Sequence, residues 1–406
     1  MSRFIGLIGI AAIILIAVIF SENRKKINWR LVGMALGLQV AFALVILKVP
    51  AGRAFFEFCS KAITKLLDFT LEGSKFLFGN LMDQKTFGMI FALQVLPTII
   101  FFSALMGILY YLGIMQFIVK IIAKGISKLL GTSGAETLSA VGNIFLGQTE
   151  APLLVKPFIK DMTKSELMAI MVGGMATVAG GVMAGYVAMG INAGDLLAGS
   201  IMAAPAGLML AKILVPETEE PKTKNTTDIS VEQTASNVVE AAANGASEGL
   251  GLALNVAAML LAFVALIALL NYILAKLGGF VGFPELSFQW ILGKIFSPLT
   301  FAMGIPSADI TTAGSLLGQK VMLNEFVAYS ELARISNTLQ PKTVMILTYA
   351  LCGFANISSV AIQIGGIGAL APEKKGLIAK LGFKALLGGA LATCLTGTIA
   401  GVLFSI

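Results

Sequence analysis

The chain has 406 residues, 57% hydrophobic and only 13% charged, with a formal net charge of +7 and no histidine. A water-soluble domain carries about 25% charged residues, so this is an integral membrane protein. Its apolar stretches are continuous and do not alternate with period two, which indicates helices rather than a barrel.

Runs near the roughly twenty residues needed to span a bilayer occupy 4–20, 31–49, 89–112, 167–190, 196–215, 250–274, 344–370 and 377–404. They predict about eight spanning helices in an all-α membrane protein. The first run lacks a small-residue cleavage site and leads directly into Ser21-Glu22-Asn23-Arg24-Lys25-Lys26. It is therefore read as a membrane helix followed by a loop, not as a signal peptide. Segments 51–67 and 115–130 are amphipathic; the second sets Lys120, Lys124 and Lys128 against Phe117, Ile118, Ile121 and Ile122. Such helices either lie in the membrane interface or pack on protein. The stretch 216–240, rich in Glu, Lys, Thr and Asn, reads as a flexible connector.

Two carboxylates fall inside otherwise apolar stretches. Glu150 sits in the island Gly147-Gln148-Thr149-Glu150, and Glu325 in Asn324-Glu325 ahead of Phe326-Val327-Ala328-Tyr329. An ionisable group at membrane depth costs roughly 2.5 kcal/mol or more and marks a substrate or ion pathway. Each island divides an apolar stretch into pieces too short to span, the pattern of a re-entrant helical hairpin that turns back at the island. Broken backbone of that kind is tolerated only where it lines protein or a water-filled cavity. Taken alone, Glu150 reads equally well as a carboxylate at an ordinary helix end.

The segments around the islands repeat. Residues 110–131 match 288–304, 136–155 match 311–329, and 167–190 match 344–370, with one more span closing each set. Three spans separate the starts of the two sets, so the second enters from the opposite side. Inverted-repeat transporters place substrate and ion sites at such an interface. The chain thus divides into N-terminal scaffold helices over 1–88, a first repeat over 89–215, a polar cytoplasmic connector over 216–247 and a second repeat over 248–406. With the N-terminus outside, Arg24, Lys25, Lys26, Arg30, Lys156, Lys160 and Lys164 face the cytoplasm. The lysines of 48–85 run against that assignment.

Breaks are also expected within two spanning helices, at 175–181 and 354–359. There Thr177, Asn356, Ser358 and Ser359 supply hydroxyls and an amide. Ser358 reads best as a helix-packing hydroxyl. The cysteines Cys59, Cys352 and Cys394 are scattered and resemble small buried hydrophobes, not a disulfide framework or metal cluster. No basic patch interleaved with aromatics is present to hold nucleic acid.

Three motifs in order make the chain recognisable. The run Gly142-Asn143-Ile144-Phe145-Leu146-Gly147-Gln148-Thr149-Glu150-Ala151-Pro152-Leu153 resembles the first hairpin of the concentrative nucleoside transporters. Gly318-Gln319-Lys320-Val321-Met322-Leu323-Asn324-Glu325-Phe326-Val327-Ala328-Tyr329 resembles that family's signature, and Cys352-Gly353-Phe354-Ala355-Asn356-Ile357-Ser358-Ser359 its third block. The resemblance covers essentially the whole chain at the length of bacterial members. It implies a homotrimer in the bacterial inner membrane, each protomer divided into a scaffold and a moving transport domain.

Carried over residue by residue, the resemblance gives Gln148 and Thr149 to the nucleobase of a uridine-like nucleoside, with Glu150 supporting the tip. Glu325, Asn356 and Ser359 would hold the ribose hydroxyls, Phe354 would pack beside the nucleoside, and Val182 would lie close to the base. Asn143, Leu146, Thr177 and Val178 match a sodium site built largely from carbonyl oxygen. Ribose hydroxyls donating to a carboxylate form bonds about twice as strong as neutral ones, and all-oxygen ligation suits a hard alkali cation. The expected function is sodium-coupled nucleoside symport. Proton coupling within the same family is the alternative, disfavoured by Asn143 and by the absence of histidine. A membrane-embedded hydrolase using Glu150 and Glu325 is the rival from another class; no activated nucleophile or catalytic signature accompanies the pair.

Overall fold

Backbone in a bilayer has no water to bond, so the apolar runs fold as helices. The computed structural model describes residues 2–88, 90–224, 235–280, 282–283 and 285–404, and among these no strand occurs. Helix α1 spans Ser2–Ile19, α2 Trp29–Leu47, α3 Pro50–Phe78, α4 Leu96–Tyr111 and α5 Ile114–Leu130. The first half of the chain continues with α6 at Gly134–Gly142, α7 at Lys164–Ala176, α8 at Gly180–Ala188 and α9 at Ala193–Leu214. After the long α10 at Val238–Phe280, the second half holds α11 at Phe288–Ala302, α12 at Ile310–Met322 and α13 at Glu325–Ile335. It ends with α14 at Pro341–Leu351, α15 at Ile357–Leu370 and α16 at Lys375–Leu403.

Among the described residues, six helical stretches are long and apolar enough to cross a membrane: Trp29–Leu47, Phe91–Tyr111, Lys164–Ala188, Ala193–Leu214, Val238–Phe280 and Pro372–Leu403. Phe4–Ile19 and Ile357–Leu370 are shorter apolar helices. Each of the eight overlaps one of the apolar runs. The most apolar window of Lys164–Ala188 is 94% buried and that of Val238–Phe280 only 11%. The broken helix is therefore central, and α10 is a peripheral strut. The buried face of its first half is narrow, formed by Ala241, Gly245, Gly249 and Ala253, four residues apart. A Cβ at Gly245 would come within 2.5 Å of the Ser103 carbonyl on α4, so the small-residue stripe lets two backbones touch.

Several boundaries differ from the sequence expectation. Helix α3 continues past residue 67 to Phe78, where Gly79, with φ of 54°, ends it. The second helix break falls at 352–356 instead of 354–359, because Asn356 caps α15 by accepting from the Ser359 amide at 2.9 Å. Ser358 and Ser359 thus belong to the first turn of a helix. Helix α10 begins at Val238, so the last part of the 216–247 stretch is helical, and residues 225–234 of it lie outside the described residues. Its start is pinned: Thr223 accepts from the Gly134 amide at 2.9 Å, at the base of the first hairpin.

Candidate functional site

The first hairpin starts from a capping box, in which Ser133 and Glu136 satisfy each other's backbone amides. Helix α6 then runs to Asn143, and a tight turn leads into the 3-10 segment Ala151–Val155 folding back on it. The turn closes on itself: Glu150 Oε accepts from the Gly147 amide at 2.9 Å. The tip is fastened to the first helix break, where the Gly180 amide donates to the Phe145 carbonyl at 2.9 Å. The two breaks also meet, with the Phe354 amide donating to the Thr177 carbonyl at 3.2 Å. Glycine is required at 353, since a Cβ there would lie 2.8 Å from the Met175 carbonyl.

Around this crossing lies a buried polar cluster drawn from both repeats. Gln148 Nε2 donates to Ser359 Oγ at 3.0 Å. Gln363 Nε2 donates to Gln148 Oε1 at 3.1 Å and to the Met171 carbonyl at 3.0 Å. In the second hairpin Asn324 caps α13 by accepting from the Val327 amide at 2.9 Å, which puts Glu325 in the helix's first turn. The Glu325 carboxylate accepts from Tyr186 OH and from Asn356 Nδ2, both at 2.9 Å. Only 4% of Glu325 is exposed, so its charge leans on these donors and on the α13 N-terminus. Each hairpin tip therefore bonds to the broken helix of the other repeat.

Asn143 and Thr177 converge on Gly173. Thr177 Oγ1 donates to the Gly173 carbonyl at 3.0 Å, and Asn143 Nδ2 would stand 3.5 Å from a Cβ at Gly173. Asn143 Oδ1 is buried without a hydrogen-bond partner. An orphaned buried acceptor is costly unless something positive completes it. Together with the carbonyls at the end of α7, this donor set fits an alkali cation. Leu146 is buried in the tip turn and Val178 is buried at the first break.

Beside the tip lies a cavity of about 1430 Å³. Thr149, Glu150, Leu146 and Ser358 line it, as do Lys156 and Lys160. Thr149 packs on α15, where a Cβ at Gly366 would meet its Cγ2 at 2.4 Å. Glu150 is exposed and turns to its own Gly147, apart from the Glu325 cluster. Val182 is buried on α8 and Phe354 half-buried at the second break.

Two cluster members escaped the sequence reading, Tyr186 and Gln363. Tyr186 follows Val182 by four residues, one helical turn, so its hydroxyl lies on Val182's face of α8. Gln363 follows Ser359 by the same interval on α15. That spacing was the available signal.

Three family models tile the chain. The model described as Na+ dependent nucleoside transporter N-terminus matches residues 8–81, nucleoside recognition matches 92–193, and Na+ dependent nucleoside transporter C-terminus matches 195–401. An uncharacterized transporter of Haemophilus influenzae is 49% identical over 409 residues, covering 99% of this chain and 98% of its own. Nucleoside permease NupC of Helicobacter pylori is 46% identical over 411 residues, with the same coverages. CNTnw in an inward-facing substrate-bound state superposes with a TM-score of 0.94 at 47% identity, over 99% of this chain and 98% of that one. A CNTnw variant in an outward-facing state gives 0.95 at 46% identity, over 99% of both chains.

Proposed function

The chain belongs to the Na+ dependent, concentrative nucleoside transporter family, and from that premise we propose that it imports uridine-like nucleosides by symport with sodium. Nucleoside transport between outward-facing and inward-facing states is the family's activity, which removes the hydrolase. The observation that carries the reading is the meeting of both hairpin tips with the opposite repeat's broken helix, in one buried cluster of amides, hydroxyls and a carboxylate.

In this reading Gln148 and Thr149 engage the base, since an amide and a hydroxyl can both donate and accept. Ribose hydroxyls exchange for the partners that Glu325, Asn356 and Ser359 now have, and Val182 and Phe354 bound the ligand on its apolar faces. Glu150 holds the tip turn through Gly147. Asn143 Oδ1, Thr177 and the carbonyls near Leu146 and Val178 would hold the sodium ion. The hairpins are re-entrant and move, with the breaks, as a transport domain against a scaffold that includes 1–88. The protein is multi-pass in the bacterial inner membrane and works as a homotrimer, as the resemblance implies.

Sodium is preferred over protons because Asn143 Oδ1 is a buried acceptor without a donor and the chain has no histidine to carry a proton. The test is uptake of labelled uridine into proteoliposomes under a sodium gradient, a proton gradient, or neither. Accumulation is expected with sodium alone; accumulation driven only by protons would assign the other coupling ion.

A further inference from the structure

Lys320 lies on α12, five residues before Glu325, and is 1% exposed. The proposed transport cycle gives it no task. Its ammonium donates to the Ala350 carbonyl at 2.8 Å and to Thr393 Oγ1 at 2.7 Å. Among the described residues no carboxylate is in ion-pair contact with it, and the hydrogen-bond partners of its buried charge are a carbonyl and a hydroxyl oxygen. Such a charge is costly, and its placement needs a reason.

Ala350 belongs to the last turn of α14, the first half of the second broken helix. Carbonyls at a helix C-terminus lack intrahelical donors and carry the negative end of the helix dipole. The corresponding place in the first repeat is the end of α7, where Asn143 presents an acceptor with no donor beside Gly173. In both repeats the hairpin's first arm packs on the first half of the broken helix. The two junctions are therefore built from corresponding pairs of helices and differ in charge. One holds a buried acceptor without a donor, and the other brings a cation on its own side chain.

We propose that the Lys320 ammonium is the tethered counterpart, in the second repeat, of the cation bound in the first. It fills the second junction permanently, supplies a fixed counter-charge on the hairpin that carries Glu325, and leaves one mobile cation to cross with each nucleoside. Lys320 is a positioning residue: it holds α14 and α16 against the second hairpin and does not touch the nucleoside. The pairing with the first junction rests on the cation reading given above for Asn143 and Thr177.

The test compares Lys320→Ala, which vacates the junction, with Lys320→Met, which fills it without charge. Uridine binding to the purified full-length protein is measured against sodium chloride and, separately, against ammonium chloride, at fixed ionic strength. Both variants should lose about tenfold or more in affinity, the change expected when a charged group's hydrogen bonds are removed. Lys320→Ala should recover with ammonium or with high sodium, and its sodium dependence should steepen; Lys320→Met should recover with neither. Wild-type affinity in both variants, or equal loss with no rescue in either, overturns the proposal. Should the variants not fold, wild-type protein decides the matter: one elementary charge per uridine is expected, and two would overturn it. A wild type indifferent to sodium would sink the sodium reading instead, and ammonium rescue of Lys320→Ala would still judge the lysine.

Discussion

Gln148 donates to Ser359 at 3.0 Å across 211 positions of sequence. Its counterpart is the bond from Tyr186 to Glu325 at 2.9 Å, spanning 139 positions. One joins the first hairpin to the second broken helix, and the other joins the second hairpin to the first. A ligand that replaces either partner disturbs both repeats at once. That gives a small molecule leverage over two large bodies.

Glu325→Gln keeps the shape of the side chain but turns one acceptor into a donor facing Tyr186 or Asn356. Uridine affinity should fall about ten- to a hundredfold, since bonds to charged groups contribute roughly 1.5–3 kcal/mol. Transport should collapse while the melting temperature in detergent changes little. Titration calorimetry checks the first expectation and thermal melting the second. Wild-type affinity would remove the carboxylate from the ribose site.

A 2′,3′-dideoxynucleoside should bind worse than its ribonucleoside. It cannot engage Glu325, Asn356 and Ser359, which are 4%, 3% and 1% exposed. Unmet buried groups cost roughly 1–3 kcal/mol each. Their present bonds, between Asn356 and Glu325, from Tyr186 to Glu325 and from Gln148 to Ser359, offset part of that, so the loss should be nearer one such group than three. Competition of uridine and 2′,3′-dideoxyuridine for the same protein measures it; equal inhibition constants would contradict the assignment.

Much of this was legible in the sequence because membrane burial makes polar residues informative. Glu150 and Glu325 stand out against apolar neighbours, and each falls in a polar island that the structure places at a turn between helices. The finer contacts were less legible. Tyr186 and Gln363 lie on helix faces that hydropathy does not distinguish, and the sequence read Lys320 only as part of a motif. The second break lies earlier than its serines suggest, because Asn356 already caps the next helix and Ser358 and Ser359 fall in that helix's first turn. Helix α3 outran its expected end because nothing before Gly79 forces a turn.

Stability should depend on pH through Glu22, in the loop between α1 and α2. Partial burial pushes its carboxyl up, but bonds from Lys164 at 2.6 Å and Lys384 at 2.8 Å outweigh this and hold it below the ordinary 4.5. A depressed folded-state value means the contribution is complete above 4.5 and fades as pH falls through that lower value. Wild type should therefore melt higher than Glu22→Gln near neutral pH, and the gap should close under acid conditions. A gap that persists or widens toward low pH would show that the two lysine contacts do not stabilise the folded state.

Coupling is tested at Thr177. Its Oγ1 bonds to the Gly173 carbonyl beside the unpartnered Asn143 Oδ1. A sodium ion gathered by these oxygens would fix the tip turn that carries Gln148. Sodium should therefore raise nucleoside affinity, and nucleoside should raise sodium affinity by the same factor. Thr177→Val removes one oxygen with little change in volume, so it should shift the sodium dependence to higher concentration with a modest effect on folding. The loss of a neutral oxygen ligand corresponds to about 1 kcal/mol, near fivefold in apparent sodium affinity. Uridine binding is measured against sodium at fixed ionic strength, with choline as replacement. A wild-type curve flat in sodium would end the assignment, and an unchanged curve in Thr177→Val would take this hydroxyl out of the site.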